Sequence, residues 1–158
     1  MRILIAMLMS VMMLMAADAT IEVVKEADSL PSIAVEDASI AYTGTEAKRF
    51  FRLLSSDLNV LTLFNVDHHY ATTHFDDPSV LNRAMDYTLR FRLRSDDNRA
   101  YLVDVKLIRD GKVLLNKSYR VAHRRMSPFV AHAIAYDINA YFGQPPVEWM
   151  KRKIIFAR

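Results

Sequence analysis

The stretch DYTLRFRLRSDDNRAYLVDVKLIRDGKVLLNKSYRV, residues 86–121, decides the fold. Tyr87, Leu89, Phe91 and Leu93 alternate with Thr88, Arg90, Arg92 and Arg94, and alternate residues of a strand point to opposite faces. Asp96-Asp97-Asn98 is turn chemistry, and Tyr101, Val103, Val105 and Leu107 then form a second apolar row. Setting Phe91 against Val103 and Leu89 against Val105 aligns both faces and puts Arg90 opposite Asp104. At Arg109-Asp110-Gly111-Lys112, a two-residue Asp-Gly turn would set Val105 against Asn116. A three-residue loop with Gly111 left-handed in a G1 bulge sets Val105 against Leu115 and Tyr101 against Tyr119. One slip reverses every side chain, so the bulged register is expected.

Two helices flank the meander. Thr43-Gly44-Thr45-Glu46 has the S/T-x-x-E form of a capping box, and Ala47, Phe51, Leu54 and Leu58 follow at helical spacing. Ser127 as cap, Pro128 at the first helical position and Gly143 just past the end frame a second helix, with Pro145-Pro146 blocking continuation. Val130, Ile134, Ile138 and Tyr141 line its expected buried face. Val60 to Val66 is rich in β-branched and aromatic residues and reads as a buried strand. Residues 67–82 read as a polar surface loop, with Asp77-Pro78 opening one short helical turn. Ile33-Ala34-Val35 and Ile40-Ala41-Tyr42 suggest a strand made irregular by an acidic break at Glu36-Asp37. The expected architecture is α/β, with two long helices packed on a mixed β-sheet that contains a three-strand antiparallel meander.

The N-terminus addresses location. Met1-Arg2 is a short basic start, Ile3 to Ala17 is apolar apart from Ser10, and Ala17-Asp18-Ala19 is a small-x-small site. This is the grammar of a secretory signal peptide over residues 1–19, cleaved between Ala19 and Thr20. The apolar run is short for a membrane span, which needs about 20 residues. The remaining 139 residues keep the formal charge of +3, from 20 basic and 17 acidic side chains, and suit a single domain. With no cysteine in the chain, a disulfide framework, thiol catalysis, cysteine-based zinc sites and lipid anchoring through a thiol are all excluded. The basic balance favours an acidic partner or surface over nucleic acid in a secreted chain, and leaves peripheral membrane association open.

Catalytic signatures are missing: there is no Gly-rich phosphate loop, no G-x-S-x-G elbow and no H-E-x-x-H. Asp67-His68-His69, His74 and Asp76-Asp77 carry metal-ligand chemistry, but adjacent histidines on an extended strand diverge. His132 reads as a hydrogen-bonded packing residue. Arg90, Arg92 and Arg94 read as a solvated sheet face opposite Asp104. No catalytic or metal-binding residue and no cofactor is assigned. A small domain with a loose N-terminal arm is better explained as an interaction module.

The order of features resembles the N-terminal domain of the TolB family of the Tol–Pal cell-envelope system. The resemblance runs from the arm Thr20-Ile21-Glu22-Val23-Val24, through Asp86 to Val121 with its Gly111…Tyr119-x-Val121 ending, to Ala131-His132, Ala135-Tyr136-Asp137-Ile138 and Tyr141-Phe142-Gly143. Lys153-Ile154-Ile155-Phe156 looks like the family's first propeller strand. Pro145-Pro146 and Trp149-Met150 stand where the family has G-x-F, and the sequence ends at Arg158, where the family's β-propeller would begin. The implied organisation is a signal peptide (1–19), a TolB N-terminal-like α/β domain (20–143), and a linker with the start of a truncated propeller (144–158).

The resemblance implies a non-enzymatic periplasmic interaction module without a cofactor. It would couple inner- and outer-membrane components in envelope integrity, protein transport and outer-membrane constriction at cell division. Its partner-binding residues would be Thr20, Ile21, Glu22, Val23 and Val24, taking a TolA-like inner-membrane protein. A Pal-like lipoprotein would be a partner only if a propeller follows. The competing readings are a stand-alone periplasmic metal-binding protein and a cell-wall-synthesis accessory factor.

Overall fold

A computed structural model describes residues 30–39, 44–77, 84–95 and 100–151. Its strands are β1 (Ser32–Asp37), β2 (Asn65–Thr72), β3 (Tyr87–Ser95), β4 (Tyr101–Arg109) and β5 (Lys112–Val121); its α-helices are α1 (Thr45–Val60) and α2 (Ser127–Tyr141). Short 3₁₀ turns at Arg124–Met126 and Glu148–Lys151 flank α2. The five strands form one mixed sheet in the order β2-β1-β3-β4-β5. β1 runs parallel to both β2 and β3, and β3, β4 and β5 form the antiparallel meander. The fold is thus α/β with two helices on a mixed sheet, as the patterning predicts.

The helices cover one face. Ile33, Val35, Leu89, Phe91, Leu93, Val103, Val105 and Leu107 project from the sheet into a core shared with Phe50, Leu54, Leu58, Ile134 and Ile138. Phe50 packs on Phe91 with ring centres 5.1 Å apart. Arg124 reaches Glu46 near the start of α1 (3.2 Å), and His132 Nδ1 meets Asp57 (2.8 Å) further along both helices, so α1 and α2 run side by side in the same direction. His132 is the hydrogen-bonded packing residue expected. Burial pushes the Asp57 carboxyl above its ordinary pKa and outweighs the opposing pull of His132.

The meander keeps the expected faces but not the expected offsets. Phe91 pairs with Val105 and Leu89 with Leu107, while Asp104 lies opposite Arg92 rather than Arg90. A shift of two residues preserves which face each side chain occupies, so alternation cannot detect it. Ser95 pairs with Tyr101, which puts residues 96–100 in the connection; the expected Asp96-Asp97-Asn98 turn lies outside the described residues. The second turn is the two-residue form, with Asp110 at φ 50° and Gly111 at φ 72°, as a type I′ turn requires. The bulge exists but lies within the strands: Ile108 pairs with Val113 and Leu107 with Leu115. Leu114 is the extra residue, and beyond it Val105 meets Lys117 and Tyr101 meets Val121.

The helix ends differ in detail. Gly44 is the N-cap of α1 and Glu46 pairs with Arg124, while Thr43, the hydroxyl of the expected box, lies outside the described residues. Met126 is the N-cap of α2, and Ser127 is already helical. Gly143, at φ 66°, ends that helix by donating to the Ala140 carbonyl, and Gln144 donates to that of Asn139. Tyr141 is 46% exposed and not part of the buried face; Phe142 turns inward against Phe64 and Tyr87 in its place. The expected strand at Val60–Val66 starts only at Asn65, because α1 persists to Val60 and a turn with Thr62 at φ 54° follows. Ile40-Ala41-Tyr42 lies outside the described residues.

The second face of the sheet is where expectation and structure part most. Glu36 and Asp37 are buried within β1 and do not break it. Arg90, read as solvated, has no exposed surface, and its neighbour across the β1–β3 ladder is Glu36, 1% exposed. Arg90 Nε and Nη2 donate to Glu36 Oε2 at 2.9 and 2.8 Å. Its Nη1 donates to the carbonyls of His74 (3.1 Å) and Asp77 (2.5 Å), which holds residues 73–77 across the sheet. Phe75 is buried beneath the cations of Arg92 and Lys106, 4.1 and 4.3 Å from its ring centre.

Replacing Arg90 by Met should cost about 3–5 kcal/mol in denaturant unfolding, since it strands the Glu36 carboxylate in the interior. The double variant Arg90→Met with Glu36→Leu should lose clearly less than the two single losses added together. Gly111→Val should cost about 1–2 kcal/mol through left-handed strain; no atom lies within 4 Å of the added Cβ, so the loss is a backbone effect and Gly111→Asn should recover most of it.

Candidate interaction site

The residues expected to bind a partner, Thr20 to Val24, lie outside the described residues. Of the histidines weighed as ligands, His68 and His69 stand on β2 and His74 on the segment that crosses the sheet. β2 therefore claims six residues of what reads in sequence as a polar loop. Among the described residues no group of three or more His, Asp or Glu side chains is arranged to hold a metal ion, and no helix is long and apolar enough to cross a membrane.

β2 is an edge strand with a local irregularity. Ala34 pairs with Asp67 and Glu36 with Ala71, so two steps along β1 match four along β2. The surplus is absorbed at His68, His69 and Tyr70. Asp67 stabilises the bulge by accepting from the His69 backbone N–H (3.0 Å) and meeting His69 Nδ1 (2.7 Å). The bulge interrupts the ladder and blunts the edge against unspecific strand pairing. It also faces α1 across a cleft of about 450 Å³ lined by Gly44, Thr45, Lys48, Phe51, Arg52, His68 and Tyr70.

The floor of the cleft is aromatic. Phe51 and Tyr70 meet edge to face with centres 5.3 Å apart. The Tyr70 hydroxyl donates to Asp37, a buried carboxylate that also accepts the Ser39 N–H at 2.8 Å. Burial first, then the hydrogen bond and negative charge of Asp37, push the Tyr70 phenol above its ordinary range, so it remains a neutral donor fixed in place. Lys48 Nζ sits 5.5 Å from the Tyr70 ring centre. Lys48 and Arg52, one turn apart on α1, form a cationic rim with His68 opposite. The Lys48–Arg52 spacing is visible in the sequence; its partner Tyr70 is not, because its segment reads as loop.

A second polar cluster lies on the other face of the sheet. Asp104, 3% exposed, accepts from Arg92 (3.0 Å), Arg94 (2.7 Å) and the Ser118 hydroxyl (2.7 Å). Burial alone would raise its carboxyl, but these donors together outweigh it and hold the pKa below the ordinary value. Asp76, bonded to Lys106 at 2.8 Å, is held low as well. The cluster locks β3, β4 and β5 together and leaves Arg94 half in solvent.

A five-stranded mixed sheet, two helices side by side on one face and a cation-rimmed cleft beside an edge strand define the class: a small α/β domain. By sequence it is homologous to the Tol-Pal system protein TolB. The relative in Wolinella succinogenes is 32% identical over 164 residues, taking in all of this chain and 39% of that protein. The relative in Helicobacter hepaticus is 26% identical over 98% of the chain, and that in Campylobacter jejuni is 30% identical over 92%. The chain spans only 33–39% of the length of these relatives, as expected of an N-terminal domain. No protein-family model matches the chain. Among solved structures, a PelC dodecamer from Paraburkholderia phytofirmans aligns with a TM-score of 0.41 and 12% identity over 74% of this chain and 92% of that one, too loose a match to carry an argument.

The lowered Asp104 carboxyl has a pH consequence. A carboxylate whose pKa falls on folding stabilises the fold fully above its unfolded value, about 4, and the benefit is lost as pH falls through the folded value. Stability should therefore decline on acidification below about pH 4, and Asp104→Asn should flatten that decline while lowering stability at pH 7. Urea unfolding at a series of pH values measures both.

Proposed function

We propose that this chain is a non-enzymatic periplasmic interaction module of the Tol–Pal system. The match of the whole chain to TolB proteins carries the reading. In this reading residues 1–19 are the cleaved signal, residues 20–143 the TolB N-terminal-like α/β domain, and residues 144–158 the linker and the start of a propeller. The described part of that last segment lies along α2: Asn139 donates to the Pro145 carbonyl at 2.8 Å, Tyr136 to Glu148 at 3.2 Å, and Met150 is buried.

Cleavage after Ala19 makes Thr20-Ile21-Glu22-Val23-Val24 the N-terminus of the mature chain, ahead of β1. Its apolar residues suit pairing with a partner's sheet or groove, and the charges at Lys25, Glu26 and Asp28 keep the pairing segment short. The arm takes a TolA-like inner-membrane protein and so couples inner and outer membranes in envelope integrity and division. A Pal-like lipoprotein becomes a partner where a propeller follows the domain.

Deleting residues 20–24 should abolish binding to the C-terminal domain of TolA in calorimetry while leaving the melting curve unchanged, since the sheet and the two helices supply the described core. Full affinity after deletion would refute the role of the arm.

A further inference from the structure

Independently of the arm, the cleft between α1 and β2 has the chemistry of a peptide-binding site. Its volume of about 450 Å³ falls within the usual range for ligand sites, about 300–1,000 Å³. The floor offers apolar surface on Phe51 and Tyr70, and Tyr70 is held by its bond to Asp37. The rim is cationic, and no carboxylate is among the described residues that line it. Neighbouring carboxylates are bonded elsewhere, Asp37 to Tyr70 and Ser39, Glu46 to Arg124 and Asp67 to His69.

We infer that this cleft docks an extended acidic segment of a partner protein, with two carboxylates at i and i+2 against Lys48 and Arg52 of α1 and the apolar side chain at i+1 turned the other way, onto Tyr70 of β2. Spacing and charge both select that occupant. Residues i and i+2 of an extended chain lie on one side at a separation of about 6.6–6.8 Å. Side chains one helical turn apart, such as Lys48 and Arg52, have Cβ atoms about 5–6 Å apart and converge on that spacing. A small inorganic anion would leave the aromatic floor uncovered, and a flat bilayer surface would not enter the concavity. The bulge at His68–Tyr70 interrupts edge pairing on β2, so recognition rests on side chains rather than on a continuous backbone ladder.

The test uses the purified chain and fluorescein-labelled pentapeptides that carry phenylalanine, leucine or tyrosine between two glutamates. Anisotropy should show saturable binding. Affinity should fall at least tenfold when both glutamates become glutamine, when the central residue becomes alanine, and in the Lys48→Glu, Arg52→Glu variant. Lys48 and Arg52 are exposed, so that variant should melt with the parent chain. Equal binding of the glutamine peptides, or full affinity in the variant, would overturn the inference. So would self-association abolished by the same substitutions, which would make a second copy the occupant. Peptide binding that emerges only after deletion of residues 20–29 would make the chain's own segment the occupant and overturn it equally.

Discussion

The pair between Arg90 and Glu36 is the constraint on which the sheet is built. It sits at the junction of β1 and β3, where the parallel part of the sheet meets the antiparallel part, and both side chains are sealed from water. Burying two ions is unfavourable unless their remaining hydrogen-bonding capacity is used. Here Glu36 takes two donors from the guanidinium, and the third nitrogen is spent on carbonyls of residues 74–77. Pairing two strands and covering their outer face are thus one event. Without the crossing segment Arg90 would face solvent; without Arg90 the segment would lose its anchor on the sheet.

The same coupling separates the two faces of the domain. On the helix side, apolar packing sets stability, with Phe50 and Phe91 at its centre. On the other side, charged groups fix the register of the strands around Asp104 and carry Phe75 as a buried plug under two cations. A polar face organised in this way is rigid and specific, since each donor has a defined acceptor. The cleft on the helix side gains from it indirectly, because Asp37, which orients Tyr70, follows Glu36 in the strand that this network positions.

Much of this was legible in the sequence. The alternation in β3 and β4 identified the meander and its core face, and the 3.6-residue spacing identified Phe51, Leu54, Leu58, Ile134 and Ile138 as buried. Offsets were not legible, because a two-residue shift leaves every face unchanged and only the length of the connection after Ser95 decides it. The role of Arg90 was hidden for a different reason. Alternation says that a side chain is on the second face but not whether a distant segment covers that face. The cleft was hidden likewise: the i, i+4 spacing of Lys48 and Arg52 does not by itself mark a site, and the strand opposite reads as a polar loop.

The position of β1 has a mechanical side. It is the first described strand of the chain, yet it lies inside the sheet, with β2 on one flank and β3 on the other. A load applied along β1 is shared by the ladders on both flanks. An edge strand would set a single ladder against the same load. Ser32 is also tied by its backbone N–H and hydroxyl to Asp86 at 2.7 and 2.8 Å, so the entry to β1 is pinned to the residue that leads into β3 before either ladder takes strain.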